Sequence, residues 1–226
     1  MAKVKFGMFM TDARGKVGGQ VFSKNRAGAY VRTKVTPSNP RTPSQMFGRS
    51  ILGSLSGSWS GLTDTQRRAW NSAVEDWMKT DIFGDSRKPT GKNLFTGLNK
   101  EIEQSGGTRI LLPPEKQIIP ELGALDPNID ISTDMVNLGV GVIPTGFKLQ
   151  VSATPAMSQG TSFVKDKLRV IYYNASGALN PTGIFSAYEA RFGTPALGQN
   201  IYFGVKLVAD TGQAGVPVNA KADVTD

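Results

Sequence analysis

The side chains of this sequence that are best suited to bind a partner are mostly basic, and they lie close together near its start. Six basic residues and one aromatic residue form this set: Lys16, Lys24, Arg26, Tyr30, Arg32, Lys34 and Arg41. Lysine and arginine bind phosphate and carboxylate groups, and a tyrosine ring can stack on a nucleic-acid base. The set therefore indicates a contact surface for an acidic partner, either a protein or a nucleic acid.

Residues 1–41, which we call the arm, account for the whole net charge of the chain. The arm holds nine basic residues and one acidic residue, Asp12, and has a net charge of +8. The remainder of the chain is neutral, with seventeen basic and seventeen acidic residues. Net charge acts on association and solubility rather than on fold. We therefore expect the arm to have a different partner from the rest of the chain.

The composition excludes most catalytic chemistry. The 226-residue chain has no cysteine and no histidine, which excludes disulfides, thiolate metal sites, cysteine nucleophiles, Ser/His/Asp triads and an imidazole base. The neighbouring carboxylates of Glu75 and Asp76 are more simply interpreted as a solvated helix face. We expect no enzymatic activity, and no catalytic, cofactor-binding or metal-binding residues.

Three glycines in the arm raise the alternative of a phosphate-binding loop. Such a loop needs a buried strand before it, a helix after it and a Lys-Ser/Thr pair, and the sequence around Gly15, Gly18 and Gly19 has none of these. We interpret these glycines as a loop and a bulge.

The pattern of the arm is that of β-structure followed by an extended segment. Apolar residues alternate over residues 4–10, and residues 20–24 and 29–35 flank the turn Asn25-Arg26-Ala27-Gly28, which predicts a β-hairpin. Residues 36–43, the strap, contain three prolines and favour an extended conformation. A lone hairpin is marginal in water, so we expect the arm to be ordered only when it adds to the sheet of another subunit or of a shell protein.

Residues 42–107 have helical periodicity and predict three helices. The first begins at Pro43 with Thr42 as its cap, the second begins with a Thr63/Gln66 capping box, and the third is capped by Thr90 and ends at Gly106-Gly107. The inner faces are Phe47, Ile51, Leu52, Leu55, Trp59 and Leu62 in the first helix, Trp70, Ala73, Val74 and Trp77 in the second, and Leu94, Phe95, Leu98 and Ile102 in the third.

The large aromatic residues of these helices predict a structural core of Trp59, Trp70, Trp77 and Phe95. Tryptophans at this spacing could instead form a ligand cage, in which case their truncation would weaken binding and leave the melting temperature almost unchanged. We favour the core, because three short helices need this buried area to hold together.

The rest of the chain predicts a connector and a β-domain. Residues 108–132 are rich in proline and weakly periodic, as in a connector wrapped over a surface. Residues 133–226 contain about six segments with strand-like patterns: 136–143, 147–153, 168–173, 184–192, 201–207 and 216–224. The predicted fold class is α+β, with an extended N-terminal hairpin arm, a three-helix segment and a C-terminal antiparallel sandwich of immunoglobulin-like kind.

Neither a secretory signal nor a membrane span is visible in the sequence. The first apolar stretch is short and interrupted by glycine, and no run approaches the length of about 18 apolar residues that a membrane helix needs. We expect the chain to fold in a cytoplasm and to have no membrane partner.

Several motifs, taken in order, resemble those of a group of proteins without assigned activity from tailed-phage and prophage genomes. They are Gly15-Lys16-Val17-Gly18, Lys24-Asn25-Arg26, Val31-Arg32, residues 39–45, residues 62–71, Asn93-Leu94-Phe95 with Leu98-Asn99, and Ala153-Thr154-Pro155. The resemblance spans most of the chain. It implies a phage context, and hence a component of the virion or of its assembly.

Three hypotheses of function follow. The first is an auxiliary or minor head protein of a phage, which joins neighbouring subunits through its arm, forms a homo-oligomer, and passes from the host cytoplasm into the virion. The second is a nucleic-acid-binding protein whose arm neutralises phosphates, with packaged DNA as its partner. The third is an adhesin or carbohydrate-binding tail component built on the sandwich.

Overall fold

A computed structural model describes residues 2–36, 38–175 and 177–225 of the chain. They form two compact units, of which the first comprises the described residues of Met1–Ser50 and Met78–Lys88, and the second those of Ile51–Trp77 and Pro89–Asp226. The fold is mixed α+β, as the sequence predicts, with four helices among the described residues. Met1 of the arm and Pro37 of the strap lie outside the described residues.

The first unit contains a four-stranded antiparallel sheet in the order β1-β4-β3-β2. Its strands are β1 (Ala2–Lys3), β2 (Gly15–Val17), β3 (Gln20–Asn25) and β4 (Gly28–Thr33). The predicted hairpin is confirmed, since β3 pairs with β4 up to Asn25 and Gly28. The loop expected at the glycines is instead a second tight turn, Gly18-Gly19, which pairs β2 with β3. Gly18 has a positive φ in this turn, a conformation that glycine adopts without strain.

Two further features of the first unit differ from the sequence-based expectation or add to it. The strand predicted over residues 4–10 is wrong, because β1 ends at Lys3 and the Met10 N–H closes a turn on the Gly7 carbonyl at 3.2 Å. A short hairpin of β5 (Lys79–Thr80) and β6 (Ser86–Arg87) completes the unit. The described residues between β4 and the first helix form neither helix nor strand.

Three helices follow the strap, as predicted. They are α1 (Pro43–Gly61), α2 (Asp64–Ala73) and α3 (Gly91–Gln104). The capping box of α2 is present, and the Thr90 side chain accepts a hydrogen bond from the Asn93 N–H at the start of α3. The predicted inner face of α1 is wrong in part, because Phe47 and Leu52 are each 57% exposed. Phe47 lies one turn before the first buried residue of α1, Ile51. Leu52 points about 100° away from Ile51 around the helix.

Trp70 is at the centre of the helical core. It is fully buried and meets the ring of Phe95 edge to face at 5.4 Å between centroids. Its indole N–H donates to the Leu111 carbonyl at 2.9 Å. Trp59 and Trp77 are half-buried at the edge of the same cluster, and Trp77 lies beyond the end of α2. A buried ring such as that of Trp70 has no face to offer a ligand, so the cage interpretation does not apply to it.

The proline-rich segment after α3 is fixed by two buried amide side chains. Asn99 donates to the Ile110 carbonyl at 3.1 Å and accepts from the Ile110 N–H at 2.8 Å. Gln213 donates to the Glu115 carbonyl and accepts from the Gln117 N–H, both at 2.9 Å. The segment is therefore held at both places through its backbone.

The second unit also contains a six-stranded sheet, curled into a half-barrel, in the order β10-β9-β11-β12-β7-β8. Helix α4 (Pro181–Phe192) packs Ile184, Phe185 and Tyr188 into the same core as the sheet. The strands are β7 (Asn128–Asp130), β8 (Met135–Asn137), β9 (Phe147–Ala153), β10 (Arg169–Asn174), β11 (Asn200–Ala209) and β12 (Val218–Thr225).

This arrangement corrects the predicted immunoglobulin-like sandwich. The described residues form one sheet here rather than two, and β12 pairs with β7 in parallel. Residues 184–192, predicted as a strand, belong to α4, because the Asn180 side chain caps the Gly183 N–H at 2.9 Å and Pro181 occupies the first turn. Asparagine at the cap and proline in the first turn both favour a helix start. The helix takes the place that a second sheet would need over the core.

Helix α3 is held to this sheet by charged and small residues. Lys206 of β11 pairs with Glu101 at 3.1 Å, and Lys148 of β9 donates to the Ser105 carbonyl at 3.0 Å. Gly212 has a positive φ, and a Cβ at this position would collide with the Leu98 carbonyl. The helical core and the sheet therefore meet through α3.

Replacing Trp70 with alanine is expected to destabilise the second unit by about 3–5 kcal/mol, because it removes a buried aromatic ring and leaves a cavity. This is a large part of a total domain stability of about 5–15 kcal/mol. Urea unfolding followed by circular dichroism measures the change.

The control for this variant is Phe163→Ala, because the Phe163 side chain is 77% exposed. This exposed substitution should cost less than about 0.5 kcal/mol. Equal unfolding midpoints for Trp70→Ala and Phe163→Ala would contradict the core assignment.

Candidate functional site

The basic residues of the arm are positioned by its two tight turns. In the turn between β3 and β4, the Asn25 side chain accepts from the Ala27 N–H at 2.8 Å, and Gly28 has a φ of 104°. This places Arg26 at the tip of the hairpin. In the other turn, the Gly19 carbonyl accepts from the Lys34 N–H at 2.8 Å, which holds Lys34 beside the Gly18-Gly19 turn.

The strand register brings three of the predicted contact residues to one face of the sheet. Lys16 and Arg32 both pair with Val21, one from each side, and side chains of paired residues point to the same face. Tyr30 lies two residues before Arg32 and shares this face. With strands about 4.8 Å apart, Lys16 and Arg32 are separated by roughly 10 Å across the sheet.

The other predicted contact residues are not brought to this face. Lys24 alternates to the opposite face, with Phe22, and its ammonium group lies 3.6 Å from Asp12. Arg41 lies in the irregular segment before α1 and has a φ of 49°. The seven predicted residues therefore form one group of three on a sheet face, with the remainder at the hairpin tip, the other face and the segments around the sheet.

The sheet of the first unit has no buried residue. Every described residue of 2–50 and 78–88 is exposed or half-buried, and this includes Val21, Phe22, Tyr30 and Val31 in the two central strands. Neither face of the sheet is therefore fully covered by the part of the chain that the structure describes.

Most of the positive charge of the arm is open to a partner. Lys16, Arg26, Arg32, Lys34 and Arg41 are all exposed, and none of them forms an ion pair with any residue that the structure describes. Their charges are free to meet an acidic group from outside the chain.

The charge of the first unit exceeds that of the arm. Met1–Ser50 and Met78–Lys88 together contain thirteen basic and three acidic residues, a net charge of +10, whereas the second unit has thirteen basic and fifteen acidic residues, a net charge of −2. The β5–β6 hairpin and the residue after it add Lys79, Arg87 and Lys88 to the basic set.

The β5–β6 hairpin is joined to the arm by two ion pairs. Lys3 of β1 donates to Asp81, and Lys5 pairs with Asp85 at 2.8 Å. The ammonium group of Lys5 also lies 5.5 Å from the centroid of the Phe83 ring. These contacts link distant parts of the chain and make the hairpin a part of the site.

Asp81 organises the loop of this hairpin. Its side chain accepts from Lys3 and from the backbone N–H groups of Phe83, at 2.8 Å, and Asp85, at 3.1 Å. The hydrogen bond from Lys3, with those from the two amides, holds the pKa of Asp81 below its usual range, since bonds to the charged form favour it. The hydrogen bond to Asp85 raises the pKa of Lys5. Each ion pair therefore contains one group whose charged form the contact favours, Asp81 in the first and Lys5 in the second.

Sequence reasoning missed the β5–β6 hairpin and the second turn of the arm. Gly18-Gly19 between two short polar-apolar segments is a hairpin signal that could have revealed the turn. Asp81 followed by Gly84 is a turn signal as well. The pairing of Lys3 with Asp81 has no local signal in the sequence.

Two structural findings bear on other kinds of site. No three His, Cys, Asp or Glu side chains gather closely enough to hold a metal ion within residues 2–36, 38–175 and 177–225. None of the helices that the structure describes has both the length and the apolar character of a membrane span.

Comparisons of the chain with protein-family models, curated proteins and solved structures give no match.

Acidification is expected to break the Asp81 cluster. Because the pKa of Asp81 is lowered in the folded state, its stabilising effect is complete above the unfolded value of about 3.9 and is lost as the pH falls through the lower folded value. The amide resonances of Phe83 and Asp85 should report this transition in an NMR titration from pH 6 to pH 2. Asp81→Asn should abolish it, whereas the control Asp12→Asn should keep it. An unchanged transition in Asp81→Asn would show that another group is responsible.

Proposed function

We propose that this chain is a non-enzymatic structural component of a bacteriophage virion, an auxiliary or minor head protein that joins neighbouring subunits through its basic arm. The observation that carries the proposal is that the arm forms a four-stranded sheet without a single buried residue among those described. The phage context rests on the motif resemblance described above.

The arm sheet would gain stability from being covered. Burial of apolar area is the main favourable contribution to folding, and a small sheet normally needs one face covered to be stable. Val21, Phe22, Tyr30 and Val31 provide apolar area at the centre of the arm sheet, and all four are only half-buried. A partner that covers either face would add the missing burial.

The edges of the sheet support the same conclusion. β1 and β2 are edge strands of two and three residues, and unpaired edges can accept a strand from another chain. The net charge of +10 on the unit would attract an acidic partner and speed the encounter. We propose other virion proteins and further copies of this chain as partners, met in the host cytoplasm during assembly and retained in the virion.

Deletion of residues 1–41 is expected to leave a folded, monomeric and nearly neutral body, because all the buried residues that the structure describes lie in the second unit. Sedimentation velocity measures the assembly state, and circular dichroism checks the fold.

Lys16→Glu/Arg32→Glu in the full chain should also weaken assembly, whereas Lys165→Glu/Arg191→Glu, the same charge change in the second unit, should not. A truncated chain that assembles as the full chain does would refute the role of the arm.

A nucleic-acid-binding function is the second candidate, and one observation favours it. Lys16, Tyr30 and Arg32 share one face of the sheet, and Tyr30 is half-buried there, so that a basic surface contains an aromatic ring on which a base could stack. The third candidate, an adhesin, has less support. It assumed a sandwich, and Phe163 is the one aromatic side chain classed as exposed in the described part of the second unit.

Salt separates the first two candidates. If five or so arm cations neutralise phosphates of DNA, the logarithm of the binding constant should fall with the logarithm of salt concentration with a slope of roughly −4 to −5. Fluorescence anisotropy with a labelled duplex measures this slope.

A head protein should instead remain in purified particles after nuclease treatment and moderate salt, as mass spectrometry of intact particles would detect. Absence from the particles together with the steep slope would favour the second candidate.

A further inference from the structure

The first unit contains a cleft of about 240 Å³ beside the hairpin tip of the arm. The turn between β3 and β4 supplies Arg26 and Ala27, and β1 supplies Lys3. The β5–β6 hairpin and the residue after it supply the remaining lining residues, Asp81, Asp85, Ser86, Arg87 and Lys88. The cleft is therefore formed where the two hairpins meet.

The two carboxylates of the cleft already have partners. Asp81 binds Lys3 and the backbone N–H groups of Phe83 and Asp85, and Asp85 pairs with Lys5 at 2.8 Å. Lys3 and Lys5 are held in turn by these contacts. Neither carboxylate forms an ion pair with an arginine of the cleft.

Arg26 and Arg87 are the two arginines among the residues that line the cleft. Neither side chain makes a hydrogen bond or an ion pair with any residue that the structure describes, and both are exposed at the cleft. A guanidinium presents parallel N–H donors at a spacing that fits two oxygens of one carboxylate or phosphate. Two such groups lining one cleft are an unsatisfied donor set for an oxyanion.

We infer that this cleft binds a single oxyanionic group, a phosphate or a carboxylate, through Arg26 and Arg87. Asp81 and Asp85 fix the cleft walls through their ion pairs with Lys3 and Lys5. This inference concerns the free chain and does not depend on the proposed virion role.

Titration of the full-length protein with inorganic phosphate and, separately, with acetate tests the inference at pH 7 and constant ionic strength, with chloride as the reference salt. The Nε–Hε resonances of Arg26 and Arg87 should shift in a saturable manner in NMR spectra, and that of Arg32 should not. The tighter of the two anions identifies the source, a phosphate group or a carboxylate.

Arg26→Gln and Arg87→Gln should each weaken binding of that anion about tenfold, because each removes charge-assisted hydrogen bonds. Arg26→Lys should recover only part of the affinity, since it restores the charge without the fork of donors. Arg32→Gln is the matched control and should bind as the parent does. The absence of saturable shifts with both anions, or an equal loss in Arg32→Gln, would overturn the inference. Unfolding midpoints of the variants, expected to equal that of the parent, show that the loss is local.

Discussion

Full burial of apolar side chains occurs only in the second unit within the described part of the chain, and the difference between the two units follows from this. The hydrophobic effect is the dominant favourable term in folding, so the second unit can account for its own stability. The arm sheet has only half-buried apolar side chains, and it relies to a larger extent on backbone hydrogen bonds and ion pairs, whose net contributions are about 0.5–1.5 kcal/mol and about 0–1 kcal/mol each. The chain thus combines a body that folds for itself with a surface that gains from being covered.

Within the second unit, hydrogen bonds from polar side chains hold the proline-rich segment after α3. The proline-rich segment cannot form a regular ladder, because proline lacks the N–H group and restricts its neighbours. Backbone groups of Ile110, Glu115 and Gln117 bond instead to the side chains of Asn99 and Gln213, both of which are buried. Since buried polar groups need partners, these two amides fix the course of a segment that has little secondary structure of its own. The same segment supplies the Leu111 carbonyl that satisfies Trp70.

Local signals predicted the parts of the fold that local chemistry controls. The caps at Thr63 and Thr90, the Asn25–Gly28 turn and the alternation of β9 and β11 are all visible in neighbouring residues. Helix α4 was not predicted, because its apolar content is also compatible with a strand. The signals that indicate a helix here are the helical spacing of Ile184, Phe185, Tyr188 and Phe192 and the Asn180-Pro181 start.

The rest of the fold depends on contacts between residues that lie far apart in the chain. No local pattern in the sequence indicates which distant residues meet. The single sheet could not be predicted, because its order depends on pairing Ile129 with Val224, far along the chain. For the candidate site, the basic residues were visible in the sequence. Only the strand register shows that these residues are divided between the two faces of the arm sheet. Only the Lys3–Asp81 contact shows that the β5–β6 hairpin belongs to the site.

The exposed residues of the arm sheet can change more freely in evolution than the buried residues of the second unit. Substitutions at exposed positions usually change stability by no more than about 0.5 kcal/mol, whereas large-to-small changes in a core cost about 2–5 kcal/mol. Exposed residues such as Lys16 and Arg32 can therefore change with little effect on whether the chain folds, while Trp70 and Phe95 cannot. A lineage could exchange one partner for another by altering the arm alone, with the body left intact as a common platform.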